Sequence, residues 1–151
     1  MHESRDLLEK GAARAGRTID ARSFDIAPSV NVCIDDDIDR ARDQLRHFIA
    51  LYVGGMGSRE RNFYNSLVQR YGFADAARKI QDFYLDGKKE AAAAAVPAEL
   101  IDTVALVGPR ERVRERLAVY RDAGVGTLIV SAVSFGPDAR RRMLRDLVEL
   151  L

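Results

Sequence analysis

The sequence predicts an α/β architecture of which this chain supplies a piece. Two segments, Ala27 to Ile34 and Thr127 to Ser131, read as strands of the kind buried on both faces. The long stretch between them is helical in period, and two strands joined by a helical crossover form a βαβ unit of a parallel sheet. The chain has 151 residues, well short of the roughly 250 that a complete (β/α)8 barrel needs. Two strands cannot cover their own edges, so more of the sheet is expected elsewhere.

Taken in order, residues 3–15 read as a short helix with Leu7, Leu8, Ala12 and Ala15 on its apolar side, weakened by Gly11 and closed by Gly16. Met1-His2 reads as a start inside an element, which raises the expectation of sequence upstream. In residues 27–34, Val30, Val32 and Ile34 alternate with Ser29, Asn31 and Cys33, the period of a strand. Asp35-Asp36-Asp37 then opens a helix over 37–53, with Ile38, Ala41, Leu45, Phe48, Ile49 and Tyr52 on its apolar stripe. The aspartates suit an N-cap at the positive helix end; they lack the glycine and downstream glutamate of a calcium loop.

The chain breaks at Gly54-Gly55-Met56-Gly57. Helical segments follow at 60–71, lined by Phe63, Leu67 and Tyr71; at 74–86, lined by Ala76, Ile80, Phe83 and Tyr84; and at 88–95. The alanines of the third form helix readily but offer little to pack, so it is expected on the surface. Pro97 starts another turn, with Leu100, Ile101 and Val104 as its apolar contacts, and Ala105 to Val107 is a short extended piece. Pro109 opens a helix over 109–123 with Val113, Leu117 and Tyr120 buried, and Gly124 ends it. After the strand at 127–131 a last helix, 138–150, packs through Met143, Leu144, Leu147 and Leu150.

Apolar residues make up 47% and charged residues 31%, the balance of a globular chain. A net charge of +1 excludes a nucleic-acid partner bound by surplus basic charge. The single Cys33 excludes an internal disulfide and suits a reducing cytoplasm. No apolar run approaches the roughly 18 residues of a membrane span.

Two stretches carry a resemblance. LYVGGMGSRERNFYNSLVQRYG, residues 51–72, and VALVGPRERVRERLAVYRDAGVGTLIVS, residues 104–131, together resemble the C-terminal part of luciferase-like oxidoreductases that use the deazaflavin coenzyme F420. The resemblance implies one partial domain over 1–151, the C-terminal fragment of a (β/α)8 TIM barrel. In it, 27–34 looks like the seventh strand, 127–131 like the eighth, and 38–107 like a large helical insertion between them. It implies hydride transfer between reduced deazaflavin and a small organic substrate, with FMN and oxygen as the alternative chemistry. Strands one to six, which in the family hold the cofactor and most of the substrate pocket, have no counterpart here. The implied partners are therefore a small-molecule substrate and either the missing N-terminal barrel half or a second copy. The alternative is a non-catalytic helical α/β subunit or dimerisation module derived from the same family.

Gly54, Gly55 and Gly57 either set backbone N–H groups against a cofactor, with Met56 as a soft wall, or form a helix C-cap and hinge. The resemblance adds weight to the former, without displacing the latter, by placing the insertion at the C-terminal face, where barrel active sites form. Arg59, Asn62 and Tyr64 either reach substrate or cofactor tail, or Phe63 packs inside while Asn62 and Tyr64 decorate the helix surface. Gly108 stands where a helix N-terminus binds a phosphate, or is a loop glycine before proline. Ser29 and Asn31 share a strand face, and Asn31 either lines the barrel lumen as a substrate contact or is a satisfied core amide. His47 faces away from the apolar stripe, and Cys33 has no sequence partner to activate it. No triad, zinc spacing, phosphate-binding loop or dinucleotide fingerprint is present; the catalytic residues stay unassigned.

Overall fold

Strand β1 (Ser29–Ile34) is the centre of a three-stranded sheet in the computed structural model, which describes residues 2–20, 25–134 and 136–151. Met1 lies outside them. On one edge β1 pairs in parallel with β2 (Ala105–Gly108), and on the other with β3 (Ile129–Ala132). Parallel registry sets Asn31 level with Ala105 and with Ser131. Ser29, Asn31 and Cys33 therefore share a face with Ala105, Val107, Ile129 and Ser131, while Val30 and Val32 share the other with Leu106 and Val130.

Among the described residues, eight α-helices surround this sheet: α1 (His2–Arg14), α2 (Ile38–Ala50), α3 (Phe63–Arg70), α4 (Ala74–Leu85), α5 (Lys89–Ala94), α6 (Ala98–Val104), α7 (Arg110–Asp122) and α8 (Pro137–Val148). A π-helical turn, Leu51–Gly55, continues α2. The core joins the sheet to Ala41, Leu45 and Ile49 of α2, Ile80 of α4, Leu100 and Ile101 of α6, and Val113 and Leu117 of α7. Each large aliphatic side chain buried in this way contributes about 1.5–3 kcal/mol.

The helix start at Asp37 is as expected: its carboxylate accepts from the backbone N–H of Asp39 at 3.0 Å and of Arg40 at 3.2 Å. Four expectations change. Residues 105–108 form a full strand, because β1 offers them an edge to bond to. Helix α5 is not superficial: Ala92 is 0% exposed and the helix lies against α2 and α4. Its small side chains let the neighbouring backbones approach, so alanine is the packing residue here. Strand β3 is not fully buried. Ile129 is 53% exposed, because β3 is packed by α8, whereas the other edge strand, β2, is covered by α2, α6 and α7. Met143 and Leu147 of α8 and Leu150 just beyond it are buried, whereas Leu144 is exposed.

Candidate functional site

The glycine break and the asparagine pair after it form one structure. Helix α2 keeps its α-helical pattern to Ala50, then widens through Leu51–Gly55. A π-helical turn displaces its carbonyls from regular bonding partners, and such turns are frequent at functional positions. Here the carbonyls are met from α3. The side-chain amide of Asn62 donates to the carbonyls of Tyr52 (3.2 Å) and Val53 (3.0 Å). The amide of Asn65 donates to Val53 (3.1 Å) and, across the interface, to Ala77 of α4 (2.8 Å). The Asn62 side-chain oxygen accepts from the Asn65 backbone N–H at 3.0 Å, capping α3. Gln69 completes the set, donating to the Asn65 side-chain oxygen at 2.7 Å.

This reverses the expected polarity of α3. Asn62 is 3% exposed and Phe63 71% exposed, with Tyr71 also exposed. Buried carbonyls need donors, and leaving them unmet costs more than exposing one ring. The inward face of α3 therefore went to amides.

The glycines serve the same packing. A Cβ on Gly54 would lie 2.5 Å from the Cβ of Tyr84, and one on Gly55 would lie 2.3 Å from the Tyr84 ring. A Cβ on Gly57 would meet the Arg61 carbonyl at 2.2 Å. Their bare faces are turned to the protein. Met56 is on the surface, 51% exposed. Arg59 pairs with Asp82 and Asp86 of the α4 region. Tyr64 sets its edge against Tyr52, centroids 4.7 Å apart. Phe48 and Phe63 extend this contact at 4.5 and 5.4 Å, making an outward strip of four rings. Phe48 and Tyr52 were assigned to the buried stripe in the sequence; their i, i+4 spacing was the available sign of a paired surface.

Gly108 and Asn31 are elsewhere. Gly108 ends β2 with φ at 112°, and its carbonyl accepts from the Asp35 N–H at 3.0 Å. Helix α2 starts at that end of the sheet and rises about 1.5 Å per residue, so Gly54 lies roughly 25 Å away along it. Asn31 is half-buried on the central strand. The candidate residues thus fall into three places, and only Gly54, Gly55, Met56, Gly57, Arg59, Asn62 and Tyr64 share one.

Charge near Gly108 is paired. Arg40 grips both carboxylate oxygens of Asp35, at 2.7 and 2.6 Å, and holds its pKa below the usual carboxylate value. Asp102 accepts a bidentate pair from Arg42, at 3.1 and 2.7 Å, and lies 3.0 Å from Arg112. Burial, with the Asp35 charge beside it, pushes the Cys33 thiol up to about 11. An apolar cavity of about 180 Å³ lies between α7, β3 and α8, lined by Leu117, Tyr120, Val130, Leu147 and Leu151; it contains none of the candidate residues. Among the described residues no cluster of metal-ligating side chains occurs, and no helix is long and apolar enough to cross a membrane.

The profile of the luciferase-like monooxygenase family matches residues 1–127. The chain belongs to that family. A protein of Mycobacterium tuberculosis whose name proposes a coenzyme F420-dependent oxidoreductase is 34% identical to this luciferase-like chain over 146 residues, covering 97% of it. A 5,10-methylenetetrahydromethanopterin reductase of Archaeoglobus fulgidus is 27% identical over 143 residues. The structure of the coenzyme F420-dependent tetrahydromethanopterin reductase from Methanopyrus kandleri superposes with a TM-score of 0.66 over 92% of this chain, at 26% identity. The luciferase-like chain spans 40% of the length of the two curated relatives and 38% of the solved one. Its fold is part of a (β/α)8 barrel, as the resemblance implied.

Proposed function

We propose that this chain is the C-terminal portion of an F420-dependent oxidoreductase, one that transfers hydride between the reduced deazaflavin and a small organic substrate. The observation that carries the reading is identity along nearly the whole chain, 34% over 97% of it, with a relative named for that cofactor. The solved F420-dependent reductase supports it with a shared fold.

The chain's own residues do not close around such a group. The inner faces of Gly54, Gly55 and Gly57 are taken by Tyr84 and the Arg61 carbonyl, and Gly108 is far from them. No chemical step is therefore assigned to a residue here. In the complete barrel, the surface bearing Met56, Arg59 and Tyr64 is the part of the insertion able to face a substrate, since Asn62 is committed inward. Gly108 and Asn31 remain candidates for cofactor and substrate contact at the sheet. The alternative, a non-catalytic subunit, is favoured by one observation: a strip of rings in which Phe48, Tyr64 and Phe63 are exposed around a half-buried Tyr52, an apolar surface of the kind that mediates association.

F420 fluorescence titration separates the two. The chain alone is expected not to bind F420, and the chain combined with the unmatched remainder of the M. tuberculosis relative is expected to bind it. A combined complex that assembles yet leaves F420 unbound would favour the non-catalytic reading.

A further inference from the structure

Helix α8 carries two apolar stripes, and the chain covers one of them. Met143 and Leu147 point into the core and are buried. Asp146 and Glu149 lie round to one side of that direction, where both pair with Arg110 of α7, at 2.6 and 2.9 Å. Leu144 and Val148 lie round to the other side, roughly 100° and 140° from Met143 at the helical period. They are 41% and 70% exposed. The uncovered stripe therefore faces away from α7. Strand β3, on which α8 packs, is open as well. The N–H groups of Ile129 and Val133 donate toward β1, to Pro28 at 2.9 Å and Val32 at 2.8 Å. Strand alternation turns the N–H groups of Val130 and Ala132 to the opposite edge, where no strand pairs with β3 among the described residues.

We propose that the free edge of β3 and the Leu144–Val148 stripe of α8 form one docking surface, occupied by a parallel strand and its following helix from the barrel portion this chain lacks. The proposal rests on the reading that the active protein is a complete barrel, with β1 and β3 as its seventh and eighth strands. A closed barrel has no free strand edge and is ringed by helices, so both open surfaces need cover from the same side. The chain spans 40% of its curated relatives, so they hold sequence enough for the missing strands and helices. A second copy of this chain fits the surface less well. Its β2 is buried at every position, under α2, α6 and α7, and has no open edge to offer. It would bring another β3, set antiparallel or with its helices on the opposite face of the sheet.

The test is assembly with the unmatched remainder of the M. tuberculosis relative, co-expressed with this chain. Leu144→Asp/Val148→Asp places charge on a surface that is exposed in the chain alone, so its urea midpoint is expected to match that of the unmutated chain. Its co-purification with the remainder is expected to fall severalfold. Phe63→Asp, on the ring strip, is expected to leave co-purification unchanged. In the unmutated chain, hydrogen exchange at the Val130 and Ala132 amides is expected to slow severalfold on assembly, while Ile129 and Val133, already bonded to β1, change little. If the remainder co-purifies but either readout is unchanged, the docking surface is wrong and the complete-barrel reading survives. If the remainder does not co-purify, both are wrong. If the chain alone forms a dimer that Leu144→Asp/Val148→Asp disperses, the occupant is a second copy and the proposal fails.

Discussion

The side-chain amide of Asn62 sits 3.0 Å from the carbonyl oxygen of Val53, tying the start of α3 to the π-helical turn that ends α2. Asn65 donates to the same carbonyl at 3.1 Å. One buried oxygen thus receives two side-chain donors, and the wide turn is stable because α3 supplies them.

Asn65→Ala removes a donor from two buried carbonyls at once, and the expected loss is about 1–3 kcal/mol. Asn62→Asp is the sharper variant. It keeps the oxygen that caps α3 but aims a carboxylate at the carbonyls of Tyr52 and Val53. Urea midpoints should fall as far for Asn62→Asp as for Asn62→Ala. Recovery to the wild-type midpoint would mean that capping alone is the role of Asn62.

Gly54 and Gly55 both pack on Tyr84, but on different atoms. The three atoms nearest a Cβ on Gly55 all belong to the ring, whereas one on Gly54 meets the Tyr84 Cβ itself and the Ile80 carbonyl. Each alanine substitution is expected to destabilise by roughly 1–3 kcal/mol through overpacking. Adding Tyr84→Ala should relieve Gly55→Ala and not Gly54→Ala, a difference that a double-mutant cycle measures directly.

Asp35 is gripped by Arg40, so its folded pKa lies below its unfolded value. Stability from this group is present above the ordinary carboxylate pKa and disappears as pH falls through the lower, folded one. Asp35→Asn should therefore be less stable than wild type near neutrality, with the gap closing in acid below about pH 3.8, the value for a free aspartate. A gap that stays constant from pH 7 to pH 2 would show that the charge plays no part.

Cys33 has its pKa raised from 9.0 to about 11, so the folded chain keeps the neutral thiol where an unfolded chain would ionise. Stability linked to this group is intact below pH 9 and is lost as pH rises through 11. Alkylation by iodoacetamide at pH 8 should be slow in the folded chain and rapid in urea. Equal rates in the two conditions would refute the burial.

Much of the architecture is legible in the residues because it is local. Asp37 caps its helix through its own side chain, Val30 and Val32 alternate as a strand must, and Ala41, Leu45 and Ile49 repeat at helical spacing toward the core. These patterns, with YVGGMG and NFYN, were enough to place the chain in its family and to mark it as part of a barrel. That the residues from Gly54 to Tyr64 share one place was legible in their spacing, but how they are arranged there was not.

The arrangement depended on partners distant in sequence. Ala105 to Gly108 became a strand because β1 offered an open edge, and Ala92 became core because α2 and α4 closed over it. Phe63 turned outward because the carbonyls of Tyr52 and Val53 required amides on the inward face. Periodicity shows that a segment has two faces. Which face is buried is decided by the unmet hydrogen bonds and open edges of whatever packs against it, and those exist only once the chain is folded.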